Sequence, residues 1–124
     1  MRYKQIIGGS QEEAEKKFLW LKEARFKNAV IDITGDILIW KNGIWKNGVW
    51  KDGIWKNGVW ENGNWEDEVW VDGIWKYGVW KGGLWEDGYW EDGVWKNGYM
   101  WNNLLRTYHK VVYNKEKMIF EMRE

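Results

Sequence analysis

A tryptophan stands at every fifth position from Trp40 to Trp95, twelve in succession, inside a unit that reads G-[IV]-W-[KE]-[ND]. A period of five fits neither an α-helix nor one continuous strand. It fits a three-residue strand followed by a two-residue corner. The corners read Asn-Gly or Asp-Gly, turn dipeptides in which both residues tolerate positive φ. Side chains alternate across a strand, so in V-W-K the valine and the lysine share one face and the tryptophan takes the other. Lysine and glutamate do not enter a core unpaired. The tryptophans therefore point inward, and the Ile/Val and Lys/Glu rows point out. The reverse arrangement exposes roughly 2,000 Å² of indole at about 200 Å² each, where soluble monomers show apolar patches of only a few hundred Å².

The number of units in a coil follows from how the repeat aligns with itself. Residues 41–60 and 61–80 agree at thirteen of twenty positions, and an offset of fifteen agrees less well. At the offset of twenty Asp52, Asp72 and Asp92 align, as do Lys56, Lys76 and Lys96, while Lys41, Glu61 and Lys81 alternate in sign. The expectation is a mainly β fold, a short right-handed quadrilateral β-solenoid with about 20 residues per coil. Residues 41–100 then supply three coils, about 15 Å of rod at the usual strand spacing of about 4.8 Å, with an end to cover on each side. The glycine two positions before each tryptophan is read as room for the indole, so Gly53→Val should overpack the interior. Asn64 and Glu68 break the pattern and should weaken their coil.

A square coil of five-residue faces resembles the pentapeptide-repeat proteins, whose unit carries a small residue and a central Leu or Phe inside. Ala24-Arg25-Phe26-Lys27-Asn28 and Ala29-Val30-Ile31-Asp32-Ile33 fit that unit in succession. In the tryptophan array Gly-plus-Trp takes the place of Ala-plus-Phe, close to a volume-conserving exchange. The resemblance covers residues 24–100 and implies a solenoid. The frame slips by one residue around Thr34-Gly35-Asp36, where either a bulge or a hairpin fits. Tandem W-x-x-G arrays are also similar to those of uncharacterised phage and bacterial proteins.

The chain divides into an N-terminal strand and capping helix (1–23), the repeat (24–100) and a C-terminal cap or dimerisation segment (101–124). Ser10 to Glu13 reads S-x-x-E, a capping box, and opens a helix over residues 11–23. Ala14, Phe18 and Leu21 form its apolar stripe, widened by Leu19 and Trp20. Beyond Met100 two readings fit: a helix followed by a strand, or a hairpin turning at Asn114-Lys115. The apolar content of this tail (Leu104, Leu105, Tyr108, Val111, Val112, Tyr113, Ile119, Phe120) predicts a homodimer joined through it.

Lysine plus arginine, 19, balances aspartate plus glutamate, 19. The chain thus lacks the basic excess of a nucleic-acid binder and the acidic excess of a DNA mimic. It has no cysteine, hence no disulfide framework and no thiolate metal site. No run is apolar enough to span a membrane, and the start does not read as a signal peptide. A cytoplasmic protein is expected, in the host cytoplasm if the source is a phage.

The search for chemistry returns no catalytic, cofactor-binding or metal residue. Gly8-Gly9-Ser10 precedes a helix but lacks the spacing and the lysine of a phosphate loop, and reads as a helix N-cap. His109 and Ser10 are the only residues of their kinds and form no triad. The aspartate column Asp52–Asp72–Asp92 offers oxygen ligands for Ca²⁺, and equally suits solvated corners. The expected function is a non-catalytic protein-protein interaction module, structural or inhibitory. Its predicted wall carries Ile54, Ile74 and Val94 beside Lys56, Lys76 and Lys96, an apolar row for contact and a lysine row to steer an acidic partner. Two alternatives stand beside it. One is a phage-encoded inhibitor of a host nucleic-acid-processing or defence enzyme. The other is carbohydrate binding through tryptophan faces, which requires exposed indoles.

Overall fold

The computed structural model describes residues 2–123. It is a mainly β protein, a β-solenoid of about four turns of stacked parallel coils with two short helices. The chain opens with β1 (Tyr3–Ile7), α1 (Gln11–Lys17) and α2 (Leu19–Glu23), then forms a hairpin of β2 (Arg25–Thr34) and β3 (Ile37–Asn47). From there each unit contributes a two-residue strand, and three walls result. Wall A stacks the first half of β3, β5 (Ile54–Trp55), β8 (Val69–Trp70), β11 (Leu84–Trp85) and β14 (Tyr99–Asn102). Wall B stacks the second half of β3, β6 (Val59–Trp60), β9 (Ile74–Trp75) and β12 (Tyr89–Trp90). Wall C stacks β4 (Val49–Trp50), β7 (Asn64–Trp65), β10 (Val79–Trp80) and β13 (Val94–Trp95).

The solenoid is therefore three-sided. Trp40 lies under Trp55, and Trp45 under Trp60, so a coil takes 15 residues instead of the expected 20, and the quadrilateral section is corrected to a triangle. The indoles give the reason. Within a coil successive rings meet edge to face, 5.6–5.9 Å apart at 71–77°. Three such rings close on one another and fill the section. Four at that spacing would set diagonal partners about 8 Å apart, beyond the range in which aromatic rings touch. Between coils each ring lies flat on the next, 4.8–5.1 Å away and within 6° of parallel. The core is thus three indole ladders, and the nine tryptophans from Trp40 to Trp80 are fully buried. At about 25 cal/mol per Å² and about 200 Å² per ring, each contributes at most about 5 kcal/mol.

Tryptophan also supplies a donor that Phe or Leu lacks. The indole N–H of Trp60, Trp70 and Trp75 donates to the corner carbonyl of Tyr77, Asp87 and Asp92 in the following coil, at 3.1–3.2 Å. The corner Asn or Asp closes on itself: its Oδ1 accepts the next glycine's N–H at 2.7–2.9 Å. The glycine is fixed chiefly by the neighbouring coil. A Cβ on Gly53 would lie 2.5 Å from the Leu38 carbonyl oxygen and 3.3 Å from the Trp50 ring. Gly63 has φ +128°, and a Cβ there would lie 2.2 Å from the Gly48 oxygen. Room for the indole is the lesser part of the reason, and the backbone-to-backbone approach at the corner is the larger.

The flanks differ from expectation in two places, and the tail takes one of its two expected forms. Residues 24–33, read as the first pentapeptide units, do not coil: β2 runs antiparallel to β3, so the frame slip at Gly35 is a hairpin. The helix expected over 11–23 breaks at Phe18 (φ −118°, ψ 81°), whose side chain turns into the core together with Leu21. The break swings Trp20 edge-on against Trp50, 5.1 Å away, and leaves Leu19 in solvent. The tail is the hairpin alternative: β15 (Thr107–Asn114) pairs antiparallel with β14 and with β16 (Ile119–Met122). Ser10 caps α1 as read, accepting from the Glu13 N–H at 3.2 Å.

Candidate functional site

A 15-residue coil disperses the predicted wall. Ile54 is on wall A, Ile74 on wall B and Val94 on wall C. Lys56, Lys76 and Lys96 follow their strands by one residue and part in the same way. The six residues therefore do not form one surface, and the lysine row of the sequence reading is corrected to three single lysines. The carboxylates Asp52, Asp72 and Asp92 separate likewise onto three corners. Among the described residues no group of three or more His, Cys, Asp or Glu side chains is placed to hold a metal ion.

What shares a wall instead is a charge ladder on wall B. Its strands pair in register, Ile44 with Val59, Val59 with Ile74, Ile74 with Tyr89. The residues after the tryptophans then run Lys46, Glu61, Lys76, Glu91, opposite charges on neighbouring rungs. The signal was present in the sequence: four members alternate at an offset of fifteen, and only three at an offset of twenty.

Wall B and the corner that follows it also carry exposed apolar side chains, as wall A does at Tyr99, 44% exposed. Ile74 is 40% exposed, Tyr77 53% and Tyr89 62%. Tyr77 departs from the repeat, because the corners one and two coils before it are Asn62 and Asn47. A tyrosine at a solvent corner adds ring area and a hydroxyl where the fold asks only for an Asx residue.

A second irregular corner lies on the other side of the rod, between walls C and A. Glu68 occupies a glycine position with φ +87°. Its carboxyl is pushed above the usual carboxylate range, first by hydrogen bonding with Asp52, then by burial and by the charges of Asp52 and Asp67. A groove of about 210 Å³ beside it is lined by Phe18, Leu38, Ile54 and Val69. Near the C-terminal end the Tyr108 hydroxyl donates to the Glu86 carboxylate, and burial raises its pKa to about 12. Sequence reasoning singled out Glu68 as a weak point and passed over Tyr77, whose mark is the substitution of one corner residue in an otherwise redundant repeat.

No helix among the described residues is long and apolar enough to cross a membrane. No protein-family model, no curated protein and no solved structure matches this chain.

Proposed function

We propose that the protein is a non-catalytic protein-protein interaction module, structural or inhibitory, and that wall B is its contact surface. The observation that supports this reading most is the group of Ile74, Tyr77 and Tyr89, exposed between the charges of Lys76 and Glu91. Tyrosine anchors inside a charged frame match the composition of protein interfaces. The alternating ladder supplies register on wall B, not attraction for an acidic partner. Carbohydrate binding draws no support from indoles whose faces are stacked on one another.

The test restores the repeat. Tyr77→Asn gives the corner the residue of Asn62, and Ile74→Ser removes the neighbouring apolar group. The double variant should keep the melting temperature within the equivalent of about 0.5 kcal/mol, as surface changes do. It should also lose the partner that a photo-crosslinker at residue 76 of the otherwise wild-type chain captures. Undiminished capture removes wall B as the site, and turnover of a substrate by the purified chain removes the non-catalytic reading.

A further inference from the structure

The C-terminal end of the rod is missing a rung, and the chain carries one that fits. Wall A continues past β11 into β14. On wall B the last strand, β12, pairs with β9 on one side and, among the described residues, with no strand on the other. Inside the rod the carbonyl of each tryptophan accepts the N–H sixteen residues on, as Trp75 accepts from Glu91 at 2.8 Å. The equivalent donor for Trp90 is the N–H of Arg106, which turns away to the Asn102 carbonyl at 2.7 Å. Beside the open edge lies a groove of about 460 Å³ that includes Tyr89, Trp90, Glu91, Met100, Met118 and Phe120. Its rim is open to solvent and mixes apolar side chains, Tyr89 62% and Met118 71% exposed, with the Glu91 carboxylate.

Fifteen residues after Gly88-Tyr89-Trp90-Glu91 comes Asn103-Leu104-Leu105-Arg106. In the register of the repeat Leu104 is the outward residue, Leu105 the inward one, directed at Trp90 beside the Phe120 and Tyr113 rings that touch it, and Arg106 continues the ladder opposite Glu91. The segment matches the next rung of wall B in polarity and in charge. It does not occupy that place in its own chain. Residues 103–106 form the turn between β14 and β15 instead, with Leu104 94% and Leu105 57% exposed and Arg106 at φ +55°. Laying the segment on its own β12 would pull β15 off β14, to which four residue pairs hold it.

We infer that the occupant of this groove is a second copy of the chain: two rods meet tail to tail across a twofold axis, and each gives its Leu104–Arg106 turn to the other's β12 edge. The exchange is reciprocal, so the assembly closes as a dimer and does not grow into a filament. The opposite end cannot take the turn, because its edge is already covered by β2 and α2. Arg106 meets Glu91 as the next alternation of the charge ladder. The exposed leucines leave water, and an open edge strand that would otherwise invite indiscriminate pairing is closed. The groove shares Tyr89 and Glu91 with the surface assigned on wall B, but Ile74 and Tyr77 play no part in it, so the Tyr77→Asn, Ile74→Ser variant should leave the dimer intact and separates the two readings.

The chain has no cysteine, which makes a clean test available. Light scattering of the wild type at tens of micromolar should give a dimer. Leu104→Lys with Leu105→Lys should give a monomer that melts where the wild type does when diluted below its dimerisation range, both positions being exposed. Arg106→Glu should weaken the dimer at least tenfold, and adding Glu91→Arg should recover most of that loss. Mixing a Leu104→Cys chain with a Tyr89→Cys chain, the two outward positions that face each other in this register, should yield the mixed disulfide as the main covalent product under mild oxidation. A monomeric wild type overturns the inference. So does a dimer that survives the double lysine variant, or one that gives no mixed disulfide between residues 104 and 89.

Discussion

The two ends of the rod solve the same problem to different degrees. At the N-terminal end all three ladders are covered. The β2–β3 hairpin lies along walls A and B, with Phe26 flat on Trp45 (5.9 Å, 18°) and edge-on to Trp40 (5.4 Å, 89°). Trp20 from α2 covers Trp50 on wall C, and the Arg2 guanidinium sits 4.2 Å from the Phe26 ring and closes the stack from outside. At the C-terminal end only wall A is continued by a strand, and Phe120 reaches Trp90 and Trp95 edge-on at 5.5 and 5.0 Å. The indole N–H of Trp95 finds the Val111 carbonyl at 3.1 Å, and the edge of β12 finds no strand among the described residues. A stack of identical coils carries no information about where to stop. Termination has to be written in sequences that differ from the repeat, and this chain writes one stop in full and the other in part.

The largest expected effect tests whether stacking or capping holds the rod. Gly63→Val acts in mid-rod on wall C, away from both ends, and forces a branched residue to φ +128° with its Cβ against the Gly48 oxygen. Strain at such a φ costs about 1–3 kcal/mol and overpacking a similar amount. A loss of about 4 kcal/mol or more in urea titration is expected. A loss below about 1 kcal/mol would mean that the coils are not in the contact described.

Next come the ends. Phe26→Ala removes a buried ring that touches two ladders and should cost about 3–5 kcal/mol. Phe120→Ala at the half-covered end should cost about 1–2 kcal/mol, because its ring is only partly buried. Native-state hydrogen exchange should show the same gradient: the Lys56 and Glu61 amides, bonded to the Trp40 and Trp45 carbonyls, exchange only by global unfolding, and those of residues 89–97 open locally. Equal costs and uniform protection would show that the C-terminal end is as well closed as the other. If the dimer forms, raising the protein concentration should close the gap between the two ends.

Much of this was legible in the sequence, and the miss is informative. Inward tryptophans, Asx-Gly corners and the Ser10 cap follow from local rules that need no knowledge of the section, while the tail left a hairpin and a helix with a strand both open. Coil size does not. The offset of twenty was preferred on surface residues, Asp52 with Asp72 and Lys56 with Lys76, which are identical without touching. What decides the section is how many indoles close edge to face, a property of the ring and its spacing that identity counts do not contain. The predicted wall failed with the section, because a register that is off by one unit moves every outward residue to another wall. Tyr77 and the Leu104–Leu105 turn became visible only once the right register showed what each position should have been.

The smallest expected effect concerns the corner that separates the first two coils from the last two. Glu68 is the non-glycine in a column that otherwise reads Gly53, Gly83, Gly98, and it holds φ +87° beside Asp52 and Asp67. Glu68→Gly should stabilise the rod by about 1 kcal/mol, since a non-glycine in that region costs of that order. The sign of the pH dependence follows from the raised carboxyl. Its pKa is higher folded than unfolded, so the folded state holds the proton more tightly. Its contribution is favourable at low pH and is lost as the pH rises from the unfolded carboxyl's pKa through the folded one. The gain from Glu68→Gly should therefore be larger at pH 7 than at pH 4, measured as the difference in urea midpoint between variant and wild type in matched buffers. A gain that is equal at both values would place the Glu68 carboxyl clear of Asp52 and leave only the backbone term. A loss of stability at either value would mean that Glu68 makes a contact across the corner worth more than its strain.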